Sequence, residues 1–531
     1  MKRKNNYLLL TAVGVTFFLN SCRSTDTDKM LESGPVAVNV NLLGTEFEEE
    51  ESSSPQAQAS INEKGSLSTS TPQKQTVLIS PGLVVVSELS TLPKELKSTA
   101  QASKGLDLQA AISGSPVTSG KKFRIIAYKA SDGSYQTHQD YTVGQSGTPL
   151  TLDGGVSYDM VVYSYNSSSL PVISGGETSN ISSAVVNYDN SNRDFLYKKI
   201  SGFTPTGGIS NSLNIVLKHL FTEVTTKLVS NAGNITGVSN ALISPHYTSS
   251  TIKLSSGTFS QTGTSGSTPI VFPSASAGLT RTSNPTIVNV VNRQGSFSAT
   301  VNLAGGIPVR NLNYTSSFPL KYGTQKLLTV DIKRCGAIVN GAFKEFMCHN
   351  LGATNTADPF TPSAAIHGGK YQWGSNGTSA GWYISQATDQ SNSGAISGWN
   401  TLISTASNWS DTSKTANDPC PAGYRVPTKA QWQSVIDSNP LTRLGTWTNS
   451  STNYTSGAKL GNYLFLPAAG LRRSSTGGGL EDRGSNGYYW SSTVNTSITT
   501  SSYNLGFSSS DIYLFDNSYR RSGYSVRCIA Q

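Results

Sequence analysis

Apolar and polar residues alternate along most of the chain with the two-residue period of a half-buried strand, and helical periodicity is confined to short pieces. The alternating run Pro35–Leu43 reads as a strand, and so do Thr76–Ile79 and Leu83–Val86. From Lys122, two β-rich runs flank Ser131–Ser134, where Asp132-Gly133 marks a hairpin turn. Asp153-Gly154-Gly155 turns the chain before a Tyr- and Val-rich strand over Tyr158–Tyr165. Leu213, Ile215 and Leu217 alternate, and His219, Phe221, Val224 and Leu228 carry the pattern on. His219 is expected to be a packed or hydrogen-bonded strand residue rather than a ligand or base. One helix is expected after Pro427, with Thr428 as N-cap and Gln431 completing a capping box. Trp432, Val435 and Ile436 would form its buried face. Upstream, Pro419, Pro421 and Gly423 set a turn before the strand Tyr424–Val426. Phe465 and Trp490 are expected in the core, and Val526 and Ile529 in a closing strand.

Composition adds to this picture. Charged residues make up 13% of the chain while Ser, Thr, Gly and Asn abound, which suits exposed β-structure with many turns. The formal charge of +9 is spread thinly, with no dense Lys/Arg run interleaved with aromatics, so no nucleic-acid partner is expected. Residues 46–74 carry an acidic run and many Ser, Gln and Pro; they cannot bury a core and read as a linker. At the N-terminus Lys2, Arg3 and Lys4 precede the apolar run Leu8–Leu19, which is shorter than the about 20 residues that span a bilayer. The run ends in Leu19-Asn20-Ser21-Cys22, which resembles the lipobox of bacterial lipoproteins. The resemblance implies a signal peptide over 1–21, acylation of Cys22 and attachment to a membrane through that lipid. Four further cysteines lie at 335, 348, 420 and 528, an even number that reads as disulfides in an exported chain. Connectivity does not follow from sequence alone. The pairing favoured is Cys335–Cys348, closing a short loop, with Cys420–Cys528, tying the start of the C-terminal core to its last strand.

The run KFRIIAYKASDG, the strand VSYDMVVYSYN, the segment NIVLKHLFTEVTTKL and the strand-and-turn TIKLSSGTFS (251–260) together resemble the fimbrillin family, the lipoprotein-derived subunits of type V pili. The resemblance covers 35–331. It implies two β-sandwiches, here expected at 76–200 and 201–331, after a lipidated N-terminus, first strand and linker at 22–75. It also implies a pilin partner bound by donor-strand addition once a protease has removed the leader and first strand. Pro35–Leu43 would be that strand. The loop after it holds Lys64 and Lys74 but no Arg, so cleavage by an Arg-specific protease is not expected there.

Beyond residue 331, GAFKEFMCHNLGATNTADPFTP, KYQWG, DPCPAGYRVPTKAQWQSVI, LFLPAAGLRR, GYYWSST and GYSVRCIAQ follow one another in an order that resembles the major paralogous domain of the C-type-lectin-like superfamily. The resemblance implies a C-type-lectin-like α+β domain over 332–531, so the whole chain is expected to be mainly β. The superfamily also holds the formylglycine-generating enzymes, which need a reactive cysteine pair; the cysteines here are expected in structural bridges. There is no His-Glu-x-x-His, no Gly-x-Ser-x-Gly and no phosphate loop, and His349 and His367 have no ligand-spaced partners. The chain is therefore expected not to be an enzyme, with no cofactor and no metal. Calcium-dependent sugar binding finds no support, since Trp490 is followed by Ser491-Ser492, although Asp411, Asp482 and Asp511 leave an unrelated ion site open. The stretch 494–522 is rich in Ser, Thr, Asn, Tyr and Asp, the palette of a paratope. Its layout resembles the variable region of proteins diversified by diversity-generating retroelements, which would occupy 488–521. Candidate ligand-binding residues are Tyr488, Val494, Asn495, Ser497, Ile498, Thr500, Tyr503, Asn504, Ser509, Asp511, Tyr513, Phe515, Asn517, Tyr519 and Arg521. The expected role is a surface adhesin, at a pilus tip, for a protein or glycan ligand on another cell. The alternatives are a structural outer-membrane lipoprotein without a discrete ligand and an enzyme of the formylglycine-generating type.

Overall fold

The computed structural model describes residues 34–48, 73–92, 115–305 and 310–531. The expected signal peptide, Cys22 and most of the linker lie outside these residues. The fold is mainly β, with 49% of residues in strands and 5% in helices.

The first unit is one seven-stranded sheet. Its order is Tyr135–Thr142, Lys122–Lys129, Tyr158–Ser164, Leu196–Phe203, Asn211–His219, Pro35–Glu46 and Leu150–Asp153. The N-terminal strand Pro35–Glu46 runs parallel to Asn211–His219, with Val40 opposite Leu213 and Leu42 opposite Ile215. Its other edge pairs antiparallel with Leu150–Asp153. Strand alternation sends Val38, Ile125, Met160, Val162, Leu213, Ile215 and Leu217 to one face, where the sheet curls around a shared core. The opposite face carries Ile126, Tyr128, Val161 and Tyr163, packed with Phe195, Phe221, Ile252 and Leu254. Tyr128 and Tyr163 keep their hydroxyls paired: Tyr128 donates to the Glu177 carbonyl and Tyr163 to the Glu177 carboxylate, which also receives Arg124 Nη1 at 3.0 Å. His219 is a hydrogen-bonded strand residue, its Nδ1 2.6 Å from Asp194 Oδ1 and its ring stacked on Phe47 at 3.8 Å.

The second unit is a sandwich. One sheet contains Thr222–Ser230, Gln325–Arg334, Leu83–Thr91 and Gln73–Ser80 in that order, flanked by Thr280–Thr282 and Thr286–Val288. The facing sheet contains Phe259–Pro269, Ile235–Lys253, Arg293–Leu303 and Arg310–Leu320. Leu83, Val85, Leu228, Phe297, Val301, Leu328 and Val330 fill the space between them.

This arrangement corrects the expected division at residue 200. The hairpin of Gln73–Ser80 and Leu83–Thr91, expected in the first sandwich, belongs to the second core. Asn211–His219, expected in the second, lies in the first sheet. The alternating run over 213–228 is two strands separated at Leu220 and Phe221, one in each unit. Alternation fixes which side chains point inward, but strand partners are chosen by contacts distant in sequence.

The strand Gln325–Arg334 runs directly into the C-terminal domain, where Cys335 bonds Cys348. The tight turn at Pro81–Gly82 docks onto this loop: Cys335 N–H donates to the Gly82 carbonyl at 2.8 Å and Cys348 N–H to that of Pro81 at 2.7 Å. A Cβ at Gly82 would sit 2.2 Å from the Glu345 carboxyl group, so a side chain there would have to displace that carboxylate. Val84, Val86 and Phe360 surround the disulfide and join the two domains. The second bridge, Cys420–Cys528, closes a span of 108 residues.

The C-terminal domain is organised by an eight-stranded sheet. Its path runs Tyr383–Ile384, Lys370–Gln372, Gly523–Tyr524, Ala469–Arg473, Gly487–Val494, Ser501–Phe507 and Ile512–Tyr519, with Gly479–Arg483 paired beside Ala469–Arg473. The helix Lys429–Ser438 starts with the expected capping box of Thr428 and Gln431. Trp432 and Val435 are buried beside Phe346, Tyr489, Leu505 and Phe507, with Ile436 partly buried against them. Trp373, Trp409, Trp490 and Val526 form a second core around Cys420 and Cys528.

The two bridges differ in the loop they close, and chain entropy makes the longer one count for more. Replacing Cys420 and Cys528 by Ser is expected to cost about 5 kcal/mol, and replacing Cys335 and Cys348 about 3 kcal/mol. Urea unfolding of the two double variants measures the difference; a larger loss from the 335–348 pair would contradict this order.

Candidate ligand-display surface

Three adjacent strands, Gly487–Val494, Ser501–Phe507 and Ile512–Tyr519, carry most of the candidate residues. Alternation divides them between two faces. Tyr489, Leu505 and Phe507 point into the core, with Ile512 and Leu514 packed partly against it. On the other face the register aligns Tyr488, Gly506 and Tyr513. Phe515 lies across Gly506, whose Cβ would fall 2.1 Å from the Phe515 ring. The result is a continuous aromatic chain. Trp490 stacks on Tyr524 at 4.1 Å, Tyr524 meets Tyr488 at 5.4 Å, Tyr488 meets Phe515 at 6.1 Å, and Phe515 meets Tyr513 at 4.1 Å. It begins on a fully buried tryptophan and ends on a tyrosine that is 46% exposed. Tyr488 donates to Asp482 Oδ2 at 2.9 Å; burial, and then the charge of Asp482, raise its pKa, so the hydroxyl stays protonated.

The remaining candidates fall into distinct places. Asn495 and Asn504 are corrections: both are buried and their side chains are committed internally. Asn495 Oδ1 accepts from Ser497 N–H and Ile498 N–H while its Nδ2 donates to the Asp516 carbonyl, so it shapes the loop. Asn504 bonds Ser518 and the Leu505 carbonyl. Val494 is half-buried against the tryptophan core. Tyr503 is half-buried, with Lys429 Nζ 3.9 Å above its ring, on the side of the helix Lys429–Ser438 and apart from Tyr513. Ser497, Ile498, Ser509, Asp511, Asn517 and Tyr519 are exposed, and Thr500 and Arg521 half-buried.

Structure adds residues the sequence did not point to. Arg520 N–H donates to the Thr500 carbonyl at 3.1 Å, and its guanidinium reaches the carbonyls of Ser501 and Ser404 and stacks 4.6 Å from the Trp373 ring. Arg521 reaches the Thr401 carbonyl at 3.3 Å. These bonds bring the 400–404 loop beside the 495–500 loop. Leu402 and Ile403, exposed apolar residues of the loop that these arginines hold, are further candidates beside the exposed Ile498 and Tyr519. No local pattern marks Leu402 or Ile403, because an exposed apolar pair in a loop gains meaning only from its spatial neighbours.

The same domain holds a buried ionic cluster. Asp389 sits on the short helix Gln386–Ser391, capped by Ser385. Its carboxylate receives Arg472 Nε at 2.8 Å, Arg483 Nη2 at 2.6 Å and Lys370 Nζ at 3.3 Å. All four side chains are at most 1% exposed. Burial alone would raise the Asp389 pKa, but Lys370, Arg483 and Arg472 outweigh it and hold the group ionised. His367 stands beside the cluster, where burial and the charges of Lys370 and Arg483 keep it neutral; His349 is also held neutral by burial, with Nε2 2.8 Å from the Ala357 carbonyl.

A family model described as a domain of unknown function, DUF8237, matches residues 447–529, a stretch that contains every candidate ligand-binding residue. No curated protein sequence matches the chain. Among solved structures, a Bacteroides uniformis protein assigned to cell adhesion is similar over 40% of this chain and 86% of its own, at 16% identity and a TM-score of 0.30. The fimbrial anchor protein Mfa2 from Porphyromonas gingivalis is similar over 35% of this chain and 71% of its own, at 11% identity and a TM-score of 0.24. A fimbrial assembly protein from Parabacteroides distasonis is similar over 43% and 89%, at 10% identity and a TM-score of 0.27.

Removing the carboxylate would leave three buried cations without a counter-charge. Asp389→Asn is therefore expected to destabilise the C-terminal domain by about 3–5 kcal/mol, read by tryptophan fluorescence in urea. Lys370 gives a separate test. Burial pushes its pKa down to about 8 against the opposing pull of Asp389. Between that value and the ordinary 10.5 the unfolded chain binds a proton that the folded chain has released. The group therefore makes stability rise with pH across this window. Lys370→Met should flatten that rise.

Proposed function

We propose that this chain is a cell-surface adhesin whose C-terminal domain displays a ligand-binding surface on a β-structured stalk. The observation that carries the reading is the exposed Tyr513, Tyr519, Ile498 and Leu402, set on a sheet and loops braced by arginines and a buried ionic cluster. Large rigid aromatics held on a fixed scaffold bind with little loss of side-chain entropy. The fimbrillin-like and C-type-lectin-like sequence motifs supply the wider setting: export as a lipoprotein acylated at Cys22, and a place at the tip of a type V pilus. A tip subunit has only to accept a donor strand. The strand Pro35–Glu46 lies where such a strand would enter, between Asn211–His219 and Leu150–Asp153. The docked turn at Pro81–Gly82 and the Cys335–Cys348 bridge would hold the display domain in a fixed orientation on the stalk. The role needs no catalysis and no cofactor. Its ligand is a protein or glycan of another cell surface, met by a segment diversified at 488–521.

Tyr513→Ser with Tyr519→Ser is expected to lower cell adhesion at least tenfold while surface export and folding stay near wild type, since exposed substitutions shift stability by about 0.5 kcal/mol or less. Deleting 332–531 should abolish adhesion and leave export intact. Undiminished adhesion in both variants would instead favour a structural envelope lipoprotein.

A further inference from the structure

The strand Ile512–Tyr519 ends the path of the eight-stranded sheet. It pairs with Ser501–Phe507 on one side. Among the described residues no turn or loop backbone group bonds to Ile512, Tyr513, Leu514 or Phe515. A register shift follows: Asn504 faces Phe515 while Ser502 faces Ser518, so the regular open edge is Ile512–Phe515.

Protein edges are normally guarded by charge, proline or a covering element. The other long edges here follow that rule in part. Tyr135–Thr142 carries Gln136, His138 and Asp140, and Gln73–Ser80 carries Lys74. The edge at 512–515 carries four consecutive large apolar residues, none of them buried, and no Lys, Arg or Pro occurs from Ser508 to Tyr519. Half of the peptide groups of such a strand point away from its partner, ready to pair with an added strand.

We propose that this edge takes up an extended polypeptide strand of the ligand by β-strand addition. The proposal rests on the ligand-display reading and narrows its ligand to protein. The added strand would set alternate side chains against Tyr513 and Phe515 on one face and against Ile512 and Leu514 on the other. A glycan offers no row of amide groups at strand spacing, so the backbone edge would go unused.

The charges say more about the strand. Asp511 and Asp516 bracket the open edge and are both exposed. Antiparallel pairing of two copies of this edge, centred on Leu514, would bring Asp511 of each copy within one residue of Asp516 of the other at both ends. Like charges brought this close repel, so self-association is disfavoured. A strand with apolar residues at its centre and a basic residue at each end complements the edge instead.

The test uses the full chain and fluorescein-labelled hexapeptides, read by anisotropy. The probes are KVTVTK, its counterpart EVTVTE, and two forms of KVTVTK N-methylated on alternate sets of residues. KVTVTK is expected to bind at least tenfold more tightly than EVTVTE, and Asp511→Lys with Asp516→Lys should invert that preference. One N-methylated form should lose binding and the other keep it, because only one edge of an added strand is bonded. Equal binding of both forms, or no binding of any peptide, overturns strand addition. A glycan-array signal lost in the Tyr513→Ser, Tyr519→Ser variant, with no peptide bound, overturns it while leaving the display reading in place. The display reading itself fails separately, if that variant adheres as wild type does.

Discussion

The carboxylate of Asp389 holds three cations that the C-terminal domain has taken out of water, and much of that domain is arranged around it. Burying an ion costs several kcal/mol unless geometry and further hydrogen bonds offset it. Both conditions are met. Arg472 also reaches the carbonyls of Asp389, Asn392, Gly394 and Gly478, and Arg483 those of Asp389 and Ser451. One acidic side chain thereby ties a short helix to three strands and several loops. The strand that carries Arg472 pairs in parallel with Gly487–Val494 at Gly470 and Gly487, so the cluster anchors the sheet that carries most of the candidate residues.

Arginine plays the same part elsewhere in the domain. Long loops bury carbonyl groups that no ladder can satisfy, and a guanidinium with five donors meets several at once. Arg520 serves the carbonyls of Ser501 and Ser404. Arg527 is fully buried without a carboxylate, bonded twice to Asn350 Oδ1 and once to the Met347 carbonyl, and burial pushes its pKa down to about 10. Loop conformation in this domain thus depends on buried cations rather than on helices.

The two N-terminal units are held together by other means. Their strands pack in alternating faces around apolar cores, and the hairpin ending at Pro81–Gly82 reaches out of the second core to cover the first disulfide of the C-terminal domain. The chain enters the C-terminal domain directly from a central strand of the sandwich. Orientation is therefore set by hydrogen bonds and packing on both sides of one junction, not by a linker.

Much of this was legible in the sequence, because some rules act locally. Period-two alternation gave the strands over Lys122–Lys129, Tyr158–Ser164 and Asn211–His219, and the capping box placed the start of the helix at Lys429. The tertiary structure decided what depends on partners far along the chain. It moved Gln73–Thr91 into the second core and Asn211–His219 into the first. It buried Asn495 and Asn504, which a polar palette alone marks as displayed, and bonded Arg521 to the loop that carries Leu402. It also gathered Lys370, Asp389, Arg472 and Arg483, four charges with no shared motif, into one buried site. A side chain's direction follows from its own backbone and neighbours, whereas its burial, its ion partners and the freedom of a strand edge depend on which distant segments fold against it.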